Sequence, residues 1–282
     1  MPGLAGAAER DALVEQLLES VRRVDYVRTV RGRSVSPRRA DPSDELFDPL
    51  KAAIHHQRAS RVEEAYWLVF LFVHFGKHSR SGWEYARHVY GRLGDPRHWN
   101  WARTSADPAG FRDWLAENRA AIEAGPGGFG NHRKYESLNA RSDRGTGAAV
   151  QSYVEWVDPP RTHEELMAEA IAEVGGDPRE AFRLLFRSME SVRSFGRTAK
   201  FDYLAMIGKL GLAAIEPGSA FLQGATGPVE GARLLFGRGH CTTEMDRWLI
   251  ELADELDARL QVIEDALCNW QKSPNHFVPF RG

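Results

Sequence analysis

Apolar residues recur three and four positions apart along most of the chain, which is the spacing of one face of an α-helix. The pattern predicts a helix over 7–24 and two more within 48–75. The later of these begins after Ser60, has Glu63 in the capping-box position and ends at Gly76. Further helices are predicted over 82–93, 107–122, 163–174, 178–192, 200–210 and 243–270. With no convincing alternation of strands and helices, the chain is predicted to be all-α or mostly α.

Two stretches interrupt this pattern. The segment 146–157 is rich in Val, Tyr and Trp and fits either a strand or a helix. Between Arg22 and Arg39 there are seven arginines and one acid, Asp25. This stretch is predicted to be a basic arm that follows a phosphate backbone, or else a solvated linker that its charge keeps extended. The predicted organisation is therefore an N-terminal helix and basic arm over 1–45 and a helical domain over 46–282.

The composition narrows the class of protein. The chain has 282 residues, 43% of them apolar, and a formal charge of -2, so DNA contacts would have to come from local cationic clusters. Two cysteines are too few for a disulfide scaffold, a four-cysteine zinc site or a cysteine-held iron-sulfur cluster, which favours a reducing cytoplasm. The most apolar run, 66–75, is too short for a membrane span, and no signal-peptide segment is recognised.

No nucleotide-cofactor motif is found. The segment 224–228 lacks the Gly-Lys-Ser/Thr ending of a P-loop, and 125–130 does not follow a clear strand as a Rossmann turn would. His74 and His78 have a spacing that can chelate zinc, but no third ligand is indicated. The sequence therefore predicts no cofactor and no metal.

The segment 194–204 places a small turn between two helices. Backbone N–H groups at the start of the second helix, near Gly196, point outward and favour an anion such as a DNA phosphate. Arg197, Thr198 and Lys200 would add to this site. The structural alternative is a helix corner that needs glycine only for its turn.

Three polar segments are further candidates. His74, Lys77 and His78 follow an apolar helix and are predicted to line a pocket. The loop after Gly130 mixes cations with an aromatic ring, which suits a phosphate and a stacked base, although it fits an exposed loop equally well. Its candidate residues are His132, Arg133, Lys134 and Tyr135. On the last helix a polar face is formed by Glu264, Asp265, Asn269 and Lys272, and its alternative is a set of exposed salt bridges.

Several blocks of the chain resemble the alpha-glutamyl/putrescinyl thymine pyrophosphorylase family, with a clade 3-like pattern. In chain order they are 74–78, 129–137, 195–204, 208–213, 215–222, 224–228 and 264–272. The resemblance spans roughly residue 63 to the C-terminus. It implies a DNA-acting enzyme distantly similar to helix-hairpin-helix DNA glycosylases, with relatives in phages that make hypermodified thymine and in bacteria, where some excise modified phage bases.

The resemblance leaves two reactions open, and both require a base turned out of the duplex. One is excision of a hypermodified pyrimidine, plausibly in defence against phages. The other is displacement of pyrophosphate from an activated 5-hydroxymethyl pyrimidine by an amine or amino acid, which would need cations such as Arg197, Lys200 and Lys209 around the leaving group. A non-catalytic module that binds modified DNA is the third interpretation.

Excision requires a carboxylate near the sugar. In helix-hairpin-helix glycosylases an aspartate follows the second hairpin helix, but here that place holds Glu216. Glu216 is therefore the first candidate for the catalytic acid, although it could simply cap a turn, and Asp265 and Asp202 are the alternatives. We expect His74, Lys77, Lys134 and the polar face around Asp265 and Asn269 to converge on one pocket that receives the base.

Overall fold

The structure, a computed structural model, describes residues 1–279. Within that range it contains thirteen α-helices and no strand, which confirms the all-α class. The helices are α1 (Ala7–Gly32), α2 (Pro49–Arg58), α3 (Val62–Phe75), α4 (Glu84–Tyr90), α5 (Trp101–Ala106), α6 (Pro108–Glu123), α7 (Thr146–Val157), α8 (His163–Glu173), α9 (Pro178–Ser188), α10 (Arg197–Leu210), α11 (Gly227–Phe236), α12 (Thr242–Glu255) and α13 (Leu260–Trp270). No helix in the described part of the chain is long and apolar enough to cross a membrane.

Side-chain caps explain where several helices begin. Asp48, Asp107 and Asp177 each accept a hydrogen bond from a backbone N–H in the first turn of α2, α6 and α9. The capping box predicted at Ser60 is wrong, because α3 begins after Arg61 without a side-chain cap. Glu63 instead accepts hydrogen bonds from the backbone N–H and ring of His163, which joins α3 to α8.

The first helix is longer than the sequence pattern predicts. It continues to Gly32 because Val24, Val27 and Val30 extend its buried stripe along α10 and α13. The first part of the predicted basic arm is therefore helical, and its exposed arginines, such as Arg28, lie on the solvent side. The division of the chain at residue 45 stays a prediction.

Three further differences concern helix assignment. The ambiguous segment 146–157 is the helix α7. Two short helices, α5 and α11, were not predicted from the sequence pattern. The predicted helix over 243–270 is two helices, α12 and α13. They are separated near Asp257, whose φ of 48° lies in the left-handed region.

The apolar core is built around α3. Ten of its fourteen residues are buried, and it packs against α2, α10, α4, α5 and α8. A second cluster joins α11, α12 and α13 to the start of α1. The helix α10 belongs to the first cluster and packs on α1, α3 and α9.

Candidate active-site pocket

A pocket of about 430 Å³ opens between α1, the end of α3, the loop 130–133, α10 and α13. Its apolar wall includes Phe72, Trp83 and Phe201. The Phe72 and Trp83 rings lie 5.0 Å apart between centroids. The polar wall brings together side chains from distant parts of the sequence, namely Arg23, Lys77, His132, Arg133, Asp202, Lys209, Glu264 and Asp265. This combination of aromatic walls and a few converging polar groups is typical of a small-ligand site.

Two glycines let the loop 130–133 reach the pocket. Gly130 donates a backbone hydrogen bond of 2.8 Å to Phe75 at the end of α3. A Cβ on Gly130 would lie 2.8 Å from the backbone of Gly76 and Lys77, closer than side-chain carbons pack. Gly76 itself has a φ of 61°, a conformation that favours glycine. The close approach of the two backbones therefore requires both glycines, and it places Arg133 in the pocket wall.

Arg133 is buried, with 8% of its surface exposed. Its Nε donates to the carbonyl of Val73 at 2.8 Å, which fixes the side chain against α3. Its Nη2 atom lies 3.6 Å from Asp202 Oδ2 and has no hydrogen-bond partner among the described residues. This buried guanidinium nitrogen therefore makes no hydrogen bond within the described part of the chain, and its positive charge acts on the Asp202 carboxyl group beside it.

Asp202 projects from α10 into the same pocket. Partial loss of water in the pocket raises the pKa of this carboxyl group, while Arg133 and Lys209 act in the opposite direction. The open cavity still leaves 47% of the side chain accessible to solvent. Asp202 therefore combines a deep position with free access for a substrate or a water molecule.

Two acids of α13 border the pocket beside Asp202. Glu264 Oε1 accepts a hydrogen bond from Arg197 Nη1 at 2.5 Å. Burial raises the pKa of Glu264 to about 7, and Arg197 offsets only part of this effect. Asp265 forms an ion pair of 2.5 Å with Arg23 of α1. The carboxylates next to Asp202 are thus already held by arginines.

Lys209 follows Asp202 by seven residues, which is about two turns further along α10. Burial lowers its pKa to about 8, although Asp202 and Asp265 favour the charged form. Lys77 is exposed on the opposite side of the pocket, after the end of α3. The pocket therefore offers several cations together with the accessible carboxyl group of Asp202.

The family described as alpha-glutamyl/putrescinyl thymine pyrophosphorylase clade 3 matches residues 8–282. The chain belongs to this family. The family name denotes enzymes that act on modified thymine, so this chain is a member of an enzyme family that modifies DNA bases. No curated protein and no solved structure matches the chain.

In this pyrophosphorylase-family chain, His74 does not line the pocket. It is buried in the core, where its Nε2 lies 2.9 Å from Thr146 Oγ1 and its ring stacks on Phe70. Burial lowers the pKa of His74 to about 3, so the ring is neutral. The structure therefore places His74 in the packed core and not in the lining of the pocket, where it was predicted.

The predicted convergence is partial. Lys77 and Asp265 lie in the pocket, together with His132, but Lys134 and Tyr135 do not line it. Asn269 and Lys272 border a separate cavity near the C-terminus, and Lys272 Nζ donates to Asn269 Oδ1 at 3.0 Å. The polar face predicted on the last helix is therefore divided between two cavities: Glu264 and Asp265 line the main pocket, whereas Asn269 and Lys272 do not.

The surface anion site expected at the start of α10 does not form from the predicted side chains. Arg197 is held by Glu264 and by the carbonyls of Ala220 and Phe221. Lys200 Nζ lies 4.3 Å from the ring of Phe186 and 3.8 Å from Glu190. Both cations serve packing within the protein.

The backbone of that turn also differs from the expectation. Gly196 has extended backbone angles, and a Cβ there would meet no atom within 4 Å. The left-handed residue of the turn is Ser194, with a φ of 59°. Gly196 and Thr198 are exposed at the start of α10.

Glu216 lies outside the main pocket. It borders a polar cavity of about 320 Å³ and forms an ion pair of 3.2 Å with Arg179. This cavity shares Lys209 and Gln261 with the main pocket but contains other acids, among them Asp257. The first candidate for the catalytic acid is therefore separated from Arg133, whereas Asp202 lies 3.6 Å from it.

The sequence reasoning missed the aromatic wall of the pocket and two polar members, Arg23 and Gln261. Arg23 was counted only as part of a basic stretch. The signal in the sequence for this meeting of segments was the pair of glycines Gly76 and Gly130. Each of them adjoins one of the polar segments that meet at the pocket. Within residues 1–279, no cluster of three or more His, Cys, Asp or Glu side chains has the geometry to hold a metal ion.

Proposed function

We propose that this chain excises a hypermodified pyrimidine from DNA, with the target base turned out of the duplex into the pocket. The observation that carries this proposal is the relation between Arg133 and Asp202. A buried guanidinium nitrogen that makes no hydrogen bond within residues 1–279 lies 3.6 Å from an accessible carboxyl group that lines the cavity. The guanidinium charge holds this carboxyl group in place, and the carboxylate can act on the sugar.

The dimensions and walls of the pocket suit such a base. Its volume of about 430 Å³ falls in the range of small-ligand sites and leaves room for a substituent on a pyrimidine ring. Phe72 and Trp83 offer aromatic surface for a planar ring. Lys77 and His132, on the exposed side, are placed to meet the sugar-phosphate backbone.

The reaction is a substitution at C1′ of the sugar. The bond between C1′ and N1 of the base breaks, and the base leaves with the electron pair and takes up a proton. Water adds its oxygen to C1′ and gives up a proton. Asp202 stabilises the positive charge that develops on the sugar and accepts the proton of the water. The relationship to helix-hairpin-helix glycosylases is part of this proposal.

A second candidate reaction is favoured by the cations of the pocket and by the family name. Lys77, Arg133 and Lys209 could hold a pyrophosphate on an activated 5-hydroxymethyl pyrimidine. An amine nitrogen would bond to the methylene carbon as the carbon–oxygen bond to pyrophosphate breaks. Asp202 would then accept the proton that the amine loses.

Product analysis separates the two reactions. The protein is incubated with DNA from phages that carry different hypermodified pyrimidines. Free base together with alkali-labile strand breaks is the expected result. Released pyrophosphate together with an amine-substituted base would establish the second reaction instead. Binding without either product on every DNA would contradict both and support a non-catalytic module.

A matched pair of variants ties the products to the pocket. Arg133→Lys keeps a positive charge but loses the second guanidinium donor, and we expect it to lower product formation at least tenfold. Arg141→Lys, in an exposed ion pair with Asp113, should leave the rate unchanged. Equal rates for the two variants would remove Arg133 from the proposal.

A further inference from the structure

Tyr135 is far more exposed than an aromatic side chain normally is. Its exposed fraction is 88%, whereas the other exposed large apolar side chains of residues 1–279 range from 38% to 59%. Because almost the whole side chain is in water, it adds little packing to the fold and is open to contact with a partner.

The loop that holds Tyr135 is fixed at both ends and in its middle. Gly130 donates to Phe75 at 2.8 Å, and Thr146 donates to Ser137 at 2.9 Å. Between them, Arg133 is buried against α3 and its carbonyl accepts a hydrogen bond of 2.9 Å from Glu136. Tyr135 is thus presented at the tip of an anchored turn.

This turn adjoins the mouth of the candidate pocket. Asn131, His132 and Arg133 line the pocket, and Tyr135 follows two residues later. Lys134 Nζ lies 5.1 Å from the centroid of the Tyr135 ring. An aromatic ring next to cations is a combination that stacks on bases while the cations bind phosphates.

We propose that Tyr135 enters the DNA duplex and fills the gap left by the base that occupies the pocket. This inference rests on the proposed function, since it requires a base turned out of the stack. A planar ring in the gap stacks on both neighbouring base pairs and hinders the return of the target base. Tyr135 is then a positioning residue in contact with DNA outside the pocket.

The test uses two short DNA duplexes that differ at one position. One is fully paired, and the other has a tetrahydrofuran abasic analogue opposite 2-aminopurine, so that its gap is already open. We expect the wild-type protein to bind the gapped duplex more tightly and to change its 2-aminopurine fluorescence. Tyr135→Ala should reduce this preference roughly tenfold, because it removes the stacking surface.

Two further variants make the result specific. Tyr135→Phe keeps the ring and should retain the preference. Tyr26→Ala removes another exposed tyrosine, on α1 outside the pocket lining, and should also retain it. A wild-type protein without any preference, or a Tyr135→Ala variant with an unchanged one, would overturn the inference.

Failure of the proposed function gives a different result. If no base product forms but the preference for gapped DNA still depends on the ring of Tyr135, excision is contradicted and the role of Tyr135 stands. If base product forms and Tyr135→Ala binds both duplexes as the wild type does, only the role of Tyr135 is contradicted.

Discussion

Arg197 Nη1 lies 2.5 Å from Glu264 Oε1, which joins the first turn of α10 to α13 beside the pocket. Both side chains are almost fully buried, at 8% and 12% exposure. Arg197 also binds the carbonyls of Ala220 and Phe221, so one guanidinium connects three parts of the chain. A buried pair of this kind fixes the geometry of the pocket wall, while the cost of removing its charges from water limits its net stabilisation.

The first prediction concerns the pH dependence of stability. The folded-state pKa of Glu264, about 7, lies above its ordinary value of 4.5. The stabilising contribution of its protonated form is therefore complete below about pH 4.5 and is lost as pH rises through about 7. Glu264→Gln cannot lose a proton. Its free energy of unfolding should match that of the wild type near pH 5 and exceed it near pH 8, by up to about 3 kcal/mol.

Urea denaturation of both proteins at the two pH values measures this difference. Glu123→Gln, which alters an exposed pair with Arg119, is the control and should show no such change with pH. Parallel stability curves for Glu264→Gln and the wild type would show that Glu264 stays ionised throughout.

The second prediction concerns the contact between Gly76 and Gly130. Gly130→Ala forces the two backbones apart, because its Cβ would lie 2.8 Å from backbone atoms of Gly76 and Lys77. We expect a loss of about 1–3 kcal/mol in the free energy of unfolding. Gly196→Ala, where a Cβ meets no atom, should cost less, about 0.5 kcal/mol, because Gly196 is the N-cap of α10 and alanine is a poorer cap than glycine.

Thermal or urea denaturation compares these two alanine variants directly. The expected order contradicts the importance that the sequence pattern assigned to Gly196. If Gly196→Ala were the more damaging change, the turn before α10 would depend on glycine after all, and the packing of the loop 130–133 would be less constrained than its geometry indicates.

Helical periodicity predicted most of the elements because it depends on neighbours three and four residues apart. It placed α10 correctly from about residue 200 and therefore put Asp202 and Lys209 on one helix. This periodicity carries no information about contacts between residues that are distant in the sequence. Arg197 was expected at the surface, but Glu264, 67 residues away, holds it inside.

The pocket was only partly predictable for the same reason. The polar segments around Lys77, His132 and Asp265 were recognised as candidates, but their convergence depends on two backbones that meet at Gly76 and Gly130. His74 was misassigned because a polar residue near the end of a helix can face either the core or solvent. Only the packing of α3 on its neighbours decides between these two.

The third prediction concerns Lys209. Its pKa of about 8 lies below the ordinary value, so the cation is lost as pH rises through about 8. If this cation binds the substrate, the wild-type kcat/KM should fall between about pH 7 and pH 9. Lys209→Arg stays charged throughout this range and should flatten the profile above about pH 8.

Lys51→Arg, which lies on α2 beside Asp48 and away from the pocket, is the matched control. It should reproduce the wild-type profile on the same DNA substrate. An unchanged profile for Lys209→Arg would mean that another group, and not Lys209, determines the activity at high pH.

The last prediction decides between the candidate acids. Asp202 lies 3.6 Å from Arg133 in the main pocket, whereas Glu216 lies in the polar cavity with Arg179. Both amide variants keep the size of the side chain while removing its charge. On a confirmed substrate, Asp202→Asn should lower kcat about a hundredfold or more and leave DNA binding within about threefold, because the carboxylate acts mainly in the transition state. Glu216→Gln should retain nearly full kcat, since its side chain is exposed and separate from the pocket. Single-turnover kinetics together with fluorescence anisotropy measure both quantities. The opposite result, an inactive Glu216→Gln and an active Asp202→Asn, would move the reaction to the polar cavity, which shares Lys209 and Gln261 with the main pocket.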